Sequence, residues 1–287
     1  MLALQVTLNG LLLGGLYSLM AVGMSLIWGV MNIVNLAHGA LIMLGAYVTY
    51  WIFAIYGLDP FLSVPLTMAV MFGIGYLLQK TLINLVVRAQ LFITLLLTFG
   101  VDIVVINLAQ LIWSANLRQV NPPYAGANLE VLGLTVPYVR LMAFGVAVAI
   151  SAALFVLMER TKLGRAIRAT SQDLVAARLT GVKVANVYAL TYGIGSALAG
   201  AAGALFAMLF PITPNMGGAL TLKSFVVAVL GGLGTTAGSV AGGLVLGLAE
   251  DVGSTLLGPT YRDIISFGLL VVLLVLRPEG LLRRRRA

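Results

Sequence analysis

The sequence contains no cysteine and a single histidine, His38, among its 287 residues. No disulfide, thiol nucleophile or cysteine metal site can form, and one histidine is too few for a histidine-based metal site. Charged residues make up 9% of the chain, whereas an ordinary soluble domain has about 25%. With a mean hydropathy of +1.07, this scarcity excludes a soluble enzyme, a nucleic-acid-binding domain and a disordered chain. We expect no metal and no cofactor.

Motifs of nucleotide and hydrolytic chemistry are missing as well. The sequence has no Gly-Lys-Ser/Thr of a phosphate-binding loop, which excludes ATP hydrolysis by this chain. It has no His-Glu-x-x-His, no Gly-x-Ser-x-Gly and no pair of catalytic carboxylates. The sequence therefore predicts no catalytic residue and no enzymatic activity.

Long apolar runs dominate the chain instead. A helix needs about 20 apolar residues to cross a bilayer, so eight spans would use about 160 residues. No charged residue precedes Asp59, and a run of that length fits two spans. We predict an all-α, polytopic inner-membrane helical bundle in one domain, residues 1–287, with about eight transmembrane segments and glycine-broken or polar-broken helices. The predicted apolar runs are 4–28, 33–56, 61–79, 91–113, 137–158, 186–210, 220–249 and 264–276.

Lysine and arginine are concentrated in three segments, 80–90, 159–183 and 277–286, which hold 13 of the 17 basic residues. Because short basic loops stay in the cytoplasm, we predict that all three, and with them the C-terminus, are cytoplasmic. The polar segment 114–135 and the N-terminus are then external. The net charge of +8 follows from this distribution, and the run Arg283–Arg286 is interpreted as a topology anchor and not as a nucleic-acid site.

The stretch 220–249 poses a topological problem because the basic segments before and after it are both cytoplasmic. The crossings between them must be even in number, and 220–249 is too short for two full spans. We predict two half-length helices that meet at Gly231–Gly238. The first enters from the outer face, and the second returns to the outer face. Such backbone is tolerated only where protein or a water-filled cavity covers it, so the glycine run should line the interior. A polar break at 32–39 lies in the other half, and paired broken helices mark transport sites.

The first polar break runs from Met31 to Gly39. Asn32, Asn35 and Gly39 follow the spacing i, i+3, i+7 and are predicted to share one helical face. Unpaired amides are costly in lipid, so they must face protein or a pore. Two interpretations stay open for these residues and His38: a buried polar bridge between helices, or the lining of a translocation path.

Asp102 is the one clear ionisable group inside a predicted span, where it follows Thr94 and Thr98. An intramembrane carboxylate is a functional hypothesis by default. The alternative is that Asp102 lies near the membrane surface or pairs with a basic group. A single acid without a second relay group argues weakly for proton coupling.

The charged segment at about 159–185 is long among otherwise short connections. Its residues Gly164–Asp173, continued to Gly181, have mixed charges and recurring small side chains, which predict a short amphipathic helix. This helix is either a solvated surface element or a docking element for a soluble partner, and the length of the segment favours docking.

Several motifs follow one another in a distinctive order after the uncharged start: Met31–Gly39, Gly164–Ala169, Leu198–Gly203, Val229–Gly234 and Arg277–Leu281. In this order they resemble the inner-membrane permeases of bacterial branched-chain amino acid ABC importers. More narrowly, the chain is similar to the shorter of the two permeases that pair in those systems. The resemblance covers nearly the whole chain, and the order of the motifs makes it specific.

The resemblance implies a multi-pass permease subunit in the bacterial inner membrane. Such a subunit pairs with a second, homologous permease, receives substrate from a periplasmic binding protein and is driven by two cytoplasmic ATPases. The segment 159–185 becomes the coupling loop that contacts an ATPase. The implied partners include the lipid bilayer and no nucleic acid, and selection of substrate lies largely with the binding protein.

Two sets of candidate residues follow. The candidates for the translocation pathway or its gate are Asn32, Asn35, His38, Gly39, Thr98, Asp102, Gly231, Gly232 and Gly234. The candidates for ATPase coupling are Gly164, Arg165, Arg168, Asp173 and Gly181.

Three alternatives compete with import of branched-chain or related hydrophobic amino acids. The first is an importer of the same family for urea, short amides or aromatic acids. The second is a secondary transporter or channel that works alone, which the scarcity of intramembrane charge disfavours. The third, a structural scaffold, leaves both polar breaks unexplained.

Overall fold

The computed structural model describes residues 2–87, 89–131 and 133–276. The segment 277–287, with the closing motif and the predicted arginine anchor, lies outside the described residues.

The described chain forms eleven α-helices of six or more residues and one β-hairpin. The helices are α1 (Leu2–Met31), α2 (His38–Tyr56), α3 (Pro60–Leu78), α4 (Leu91–Trp113), α5 (Tyr138–Arg160), α6 (Lys162–Gln172), α7 (Leu174–Leu179), α8 (Val184–Leu209), α9 (Gly217–Gly231), α10 (Thr236–Leu257) and α11 (Arg262–Leu276). The strands are β1 (Asn128–Val131) and β2 (Leu134–Pro137), which pair antiparallel. Eight helices are long and apolar enough to cross a membrane, which confirms the predicted polytopic helical bundle.

Three sets of contacts define one end of the bundle, which we name the hairpin end. Gln5 of α1 exchanges two hydrogen bonds, of 2.6 and 3.0 Å, with the backbone of Thr135 in β2. Tyr124 donates a hydrogen bond of 2.5 Å to Asp59 in the α2–α3 turn. Arg118 pairs through its backbone with the chain just beyond α8. The opposite end, which carries α6 and α7, is the α6 end.

Side chains reinforce the hairpin end. Burial, and then the hydrogen bond to Asp59, raises the pKa of Tyr124, so its hydroxyl stays protonated and donates. The Arg118 guanidinium donates to the carbonyl of Trp113 at 2.9 Å and lies 5.2 and 5.0 Å from two aromatic ring centres of α2. These contacts fasten the segment between α4 and α5 over α2.

Small residues let the long helices pack closely in two matching pairs. In the α1–α10 pair, Ser18 lies against the backbone position of Gly243 and donates to the carbonyl of Val240 at 2.9 Å. In the α8–α3 pair, Ser196 lies against Gly75 in the same manner. Ser18 and Ser196 both lie 13 residues before the last residue of their helices, so the pairs correspond position by position.

The two pairs run in opposite directions through the bundle. Helix α1 starts at the hairpin end, and α8 ends there. The series α1–α4 and α8–α11 therefore forms an inverted repeat, with α5 outside it. Helices α1 and α8 are the most buried spans, whereas α4 and α11 are the most exposed.

Helices α2 and α9 both begin inside the bundle. After Met31 the chain turns back along α1, and His38 Nε2 lies 2.8 Å from the carbonyl oxygen of Met20. Met20 is 11 residues, or about 16 Å, before the end of α1. Helix α9 begins at Gly217 against Gly39. From this shared level α2 runs to the hairpin end. Helix α9 runs to the α6 end, where the turn that follows α9 contacts the last turn of α1.

The break that matches 32–37 is therefore 210–216, and the expected pairing of 32–39 with 231–238 is wrong. The stretch 220–249 was predicted to form two half-length helices, and this is wrong for the second helix, α10, which is full-length. Helix α9 has 15 residues, but α10 has 22 and returns the whole way to the hairpin end. The glycine run 231–238 forms the turn between them at the α6 end.

Three smaller differences concern segment boundaries. The third span does not end at residue 79 as predicted, because a π turn (Gln79–Ile83) and a last helical turn (Asn84–Val86) continue α3. The polar segment 114–135 includes most of the β-hairpin, whose short strands carry little periodic signal. The predicted amphipathic helix is two helices, because Asp173 interrupts it.

Candidate functional site

The first turns of α2 and α9 meet at mid-depth and are joined by hydrogen bonds. The Gly39 N–H donates to Thr221 Oγ1 at 2.8 Å, and the Thr221 hydroxyl donates to the carbonyl of Leu36 at 3.0 Å. A Cβ at Gly39 would lie 1.9 Å from the Gly217 carbonyl oxygen, so only glycine permits this approach. These four residues are named the half-helix junction.

Helix α4 lies across both breaks. Thr98 Oγ1 accepts a hydrogen bond of 3.2 Å from the N–H of Leu36, in the first break. Three turns further along, Gln110 donates to Asn215 at 2.6 Å, in the second break. One face of α4 is thus fixed against the two segments from which the half-helices start.

Asp102 lies on this face, one turn after Thr98. Thr98 is level with Leu36, and the Trp113 ring stacks on the ring of Tyr47 at 4.4 Å between centres. Because α4 runs beside α2 between these two contacts, Asp102 is level with the first turn of α2. Its Oδ1 is buried and has no hydrogen-bond partner among the described residues.

Asn35 and His38 lie behind the junction, buried within the chain. His38 Nε2 is paired with the Met20 carbonyl oxygen, and Nδ1 has no hydrogen bond in the described part of the chain. The side-chain amide oxygen and nitrogen of Asn35 also have no hydrogen bond among the described residues. The Tyr192 hydroxyl lies nearby but outside hydrogen-bonding geometry. Their burial agrees with the interpretation as polar groups between helices, and their unused donors and acceptors make this a costly arrangement.

The start of α9 is open on its other side. Gly218 and Ala219 are exposed, and a Cβ at Gly218 would meet no atom within 4 Å. Asn215 beside them is exposed as well. Polar groups and free helix ends at this depth are not stable against lipid. This surface therefore faces another protein or water in the assembled molecule.

Four predicted residues lie away from the junction. Asn32 is exposed just beyond the end of α1, with a φ of +53°. Because the segment from residue 32 to 37 is not helical, the prediction that Asn32, Asn35 and Gly39 share a helical face is wrong. Gly231 ends α9, and Gly232 and Gly234 lie in the turn that follows, where their φ values of +95° and +83° require glycine.

An ionic cluster inside the bundle was missed. Lys223 of α9 and Glu250 of α10 form an ion pair of 3.0 Å, with the Glu250 side chain fully buried. Asp251 is buried beside it. Asp102 is therefore not the one ionisable group within the spans. The adjacent acids 250–251 at the end of an apolar run were the available signal.

Two described cavities lie on either side of α5. One has about 350 Å³ between α1, α5 and α10, and the other has about 230 Å³ between α3, α5 and α8. Their walls are mostly apolar, and no junction residue lines them. The described residues contain no group of three potential metal ligands from His, Cys, Asp and Glu.

The predicted coupling residues shape the start of α6. Thr161 caps α6 by accepting a hydrogen bond of 3.0 Å from the Gly164 N–H. A Cβ at Gly164 would lie 2.2 Å from the carbonyl oxygen of Met158, so glycine is needed there. Arg168 donates to that same carbonyl and pairs with Glu159 at 3.2 Å. Gly164 and Arg168 thus orient α6 against the end of α5.

Helix α7 completes this segment. Asp173 caps it by accepting from the Val175 N–H at 2.8 Å, and Gly181 follows with a φ of +85°. Arg165 is exposed, and so are the apolar side chains of Val175 and Leu179, which sequence reasoning missed. Exposed apolar and basic side chains in one surface are typical of a docking site.

Comparison with known proteins agrees with these features. Residues 6–274 match the family described as "Branched-chain amino acid transport system / permease component". The chain is 33% identical to the permease protein BraD of Pseudomonas aeruginosa and 31% identical to LivH of Escherichia coli; each alignment covers 98% of this chain and 96% of the relative. It is 25% identical to LivM of Escherichia coli over 94% of this chain and 68% of LivM. No solved structure matches it.

The relatives are named as permease proteins of high-affinity branched-chain amino acid transport systems, and none of these names describes an enzyme. The family match spans almost the whole described chain, including the half-helix junction and the α6–α7 segment. This multi-pass membrane protein belongs to the family of permease components of branched-chain amino acid transport systems.

Proposed function

We propose that this chain is a permease subunit of an ATP-driven importer in the bacterial inner membrane, and that it forms part of the pathway for branched-chain amino acids. The near full-length similarity to BraD and LivH carries this proposal. The half-helix junction supports it, because broken helices that meet at mid-membrane are a recurring design of transport sites. The importer of urea, short amides or aromatic acids is not favoured.

The pathway lies between this chain and a second permease. Similarity to both LivH and LivM indicates two related permeases in one system. The open surface at Gly218 and Ala219, next to the contact between Asn215 and α4, gives this chain a side that a partner would cover. Asn35, His38, Gly39, Thr98 and Asp102 lie at or behind that side, and Gly231, Gly232 and Gly234 hold the turn from which α9 departs.

The other partners bind at the two ends. A cytoplasmic ATPase binds the α6–α7 segment through Arg165, Val175 and Leu179, which Gly164, Arg168, Asp173 and Gly181 hold in place. A periplasmic binding protein delivers substrate at the hairpin end. The α6 end is cytoplasmic because the basic segment 159–183 lies there, and the C-terminus is on the same side.

Uptake of radiolabelled leucine, isoleucine and valine tests the transport proposal. The chain is deleted in its host and restored from a plasmid, with the neighbouring transport genes intact. Deletion should abolish high-affinity uptake of these amino acids, and the plasmid should restore it. Unchanged amino acid uptake together with lost urea or amide uptake would favour the alternative substrate class.

Co-purification of the ATPases tests the docking surface. Arg168→Glu places a second acid beside Glu159, which should turn α6 away from its position and reduce the ATPase recovered. Leu179→Asp should reduce the amount of ATPase recovered directly, because it places a charge in the proposed contact between the α6–α7 segment and the ATPase. Glu130→Lys at the hairpin end, an exposed charge reversal, is the matched control. Full ATPase recovery and normal uptake in both α6–α7 variants would refute the docking assignment.

A further inference from the structure

The ammonium group of Lys223 is a point where four helices meet. Lys223 belongs to α9, and its Nζ lies 3.0 Å from Glu250 Oε1 of α10 and 3.2 Å from Asp263 Oδ1 of α11. The Tyr17 hydroxyl of α1 is 3.5 Å away, and the ammonium lies 5.3 Å from the centre of its ring. An ammonium has three N–H donors, and these oxygens supply three acceptors.

Glu250 is engaged as fully as Lys223. Its side chain is completely buried. Oε2 accepts a hydrogen bond of 2.6 Å from Tyr17, and Oε1 accepts from Ser266 as well as from Lys223. A buried charge is stable only when it is paired and hydrogen-bonded. Removal of either partner would therefore leave the other as an uncompensated charge inside the bundle.

Lys223 is the single charged residue of α9. The start of this half-helix is held by the uncharged half-helix junction, and its end passes into a turn of glycines. Between these two points, the ion pairs of Lys223 reach the neighbouring helices α10 and α11. Buried apolar residues pack the second half of α9 against its neighbours, and Lys223 adds the only charged contacts that this helix makes with described residues.

Asp263 extends this dependence to the surface. Its side chain is 68% exposed, in contrast to Glu250. It belongs to α11, which is the least buried of the candidate spans. Lys223 therefore connects a helix at the periphery of the chain with the half-helix that starts at the junction.

We propose that Lys223 is a positioning residue for transport. It holds α9, and with it the half-helix junction, against α1 and α10, and through Asp263 it makes the position of α9 follow that of α11. This inference rests on the transport function proposed above. A neutral side chain of similar length would fill the same space, but it would not make α9 move with α11.

A purely structural role makes a different prediction from positioning. Suppose that Lys223 and Glu250 only neutralise each other's buried charge. Replacing both with neutral side chains should then restore the stability and the transport that a single replacement removes, because buried ion pairs can be exchanged for apolar groups without loss of stability. If Lys223 positions α9, joint replacement restores stability but not transport.

The test uses the full importer, with its partner subunits, in proteoliposomes. Lys223→Met, Glu250→Gln and the double variant are compared for unfolding midpoint, leucine uptake and leucine moved per ATP hydrolysed. Both single variants should lose stability and uptake. The double variant should recover the wild-type midpoint, while uptake stays about tenfold lower and less leucine is moved per ATP, as expected for the loss of a typical coupling between sites. Recovery of uptake in the double variant would overturn the proposal.

Two further variants test the connection to α11. Asp263→Asn should leave the midpoint unchanged, because the side chain is exposed, but should lower the leucine moved per ATP. Arg262→Gln breaks the 3.5 Å pair between α11 and Asp251 of α10 without touching α9, and should leave that ratio at the wild-type value. A wild-type ratio in Asp263→Asn would overturn the connection. Absence of leucine uptake by the wild-type importer would instead contradict the proposed transport function.

Discussion

The half-helices α2 and α9 hold corresponding places in the inverted repeat but are fastened by different means. Helix α2 carries no acidic or basic residue besides His38 and is held by aromatic packing, such as the stack of Tyr47 on Trp113. Helix α9 also packs through buried apolar residues, but in addition it carries the ion pairs of Lys223. Aromatic packing acts over short distances and fixes one position, whereas an ion pair attracts over a longer distance, so α9 can follow a partner that is displaced. The comparison suggests that α2 is the fixed half of the junction and α9 the adjustable half.

The largest effect is expected where the two half-helices touch. Gly39→Val places side-chain atoms on the Gly217 carbonyl, where a Cβ alone would lie 1.9 Å away. Because backbone cannot yield as a side chain does, the cost should exceed about 3 kcal/mol, the upper range for overpacking. Assembly and uptake should both be lost. Gly145→Val, in α5 and facing open space, is the control, and equal loss in both variants would show that the contact is not specific.

An intermediate effect is expected at the hydrogen bonds that join α2 and α9. Thr221→Val keeps the shape of the side chain but leaves the Gly39 N–H and the Leu36 carbonyl without their partner. An unpaired buried polar group costs about 1–3 kcal/mol, so the unfolding midpoint and uptake should fall. Thr221→Ser retains the hydroxyl and should behave nearly as the wild type. Equal midpoints for the valine and serine variants would contradict this account of the junction.

The smallest effect is expected in the packing of α2. The Tyr47 hydroxyl is buried without a hydrogen-bond partner among the described residues. Tyr47→Phe should therefore not lower the free energy of unfolding, because it removes an unpaired buried hydroxyl while the ring still stacks on Trp113. Tyr47→Leu removes that stack and should cost at least about 1 kcal/mol. Thermal unfolding of the purified complex measures both. A large loss in the phenylalanine variant would reveal a role for the hydroxyl and weaken the view of α2 as held by apolar contacts.

Sequence reasoning succeeded where a single local property decides the outcome. The bounds 91–113 of α4 were predicted correctly, because polar residues flank a continuous apolar run. The long apolar helices and their number followed from hydropathy for the same reason. The polar character of Asn35 and His38 likewise pointed to the first break.

The failures have a common physical cause, which is dependence on distant contacts. The break 210–216 becomes visible only because Gly217 packs on Gly39, 178 residues earlier in the chain. Lys223 and Glu250 lie on different helices, and no periodicity connects them. The turn at Gly231–Gly238 has a clear glycine signal, but its depth depends on the length of α9, which hydropathy does not determine.

The opposite directions of α2 and α9 have an electrostatic consequence for Asp102. Each helix start carries roughly half a positive charge from its aligned peptide dipoles, and both starts converge at the half-helix junction. Their sum is about one positive charge, comparable with the single negative charge of the Asp102 carboxylate level with them. Asp102 forms no ion pair with any described lysine or arginine. A negative charge brought to the half-helix junction would therefore be favoured by the peptide backbone itself, without a basic side chain.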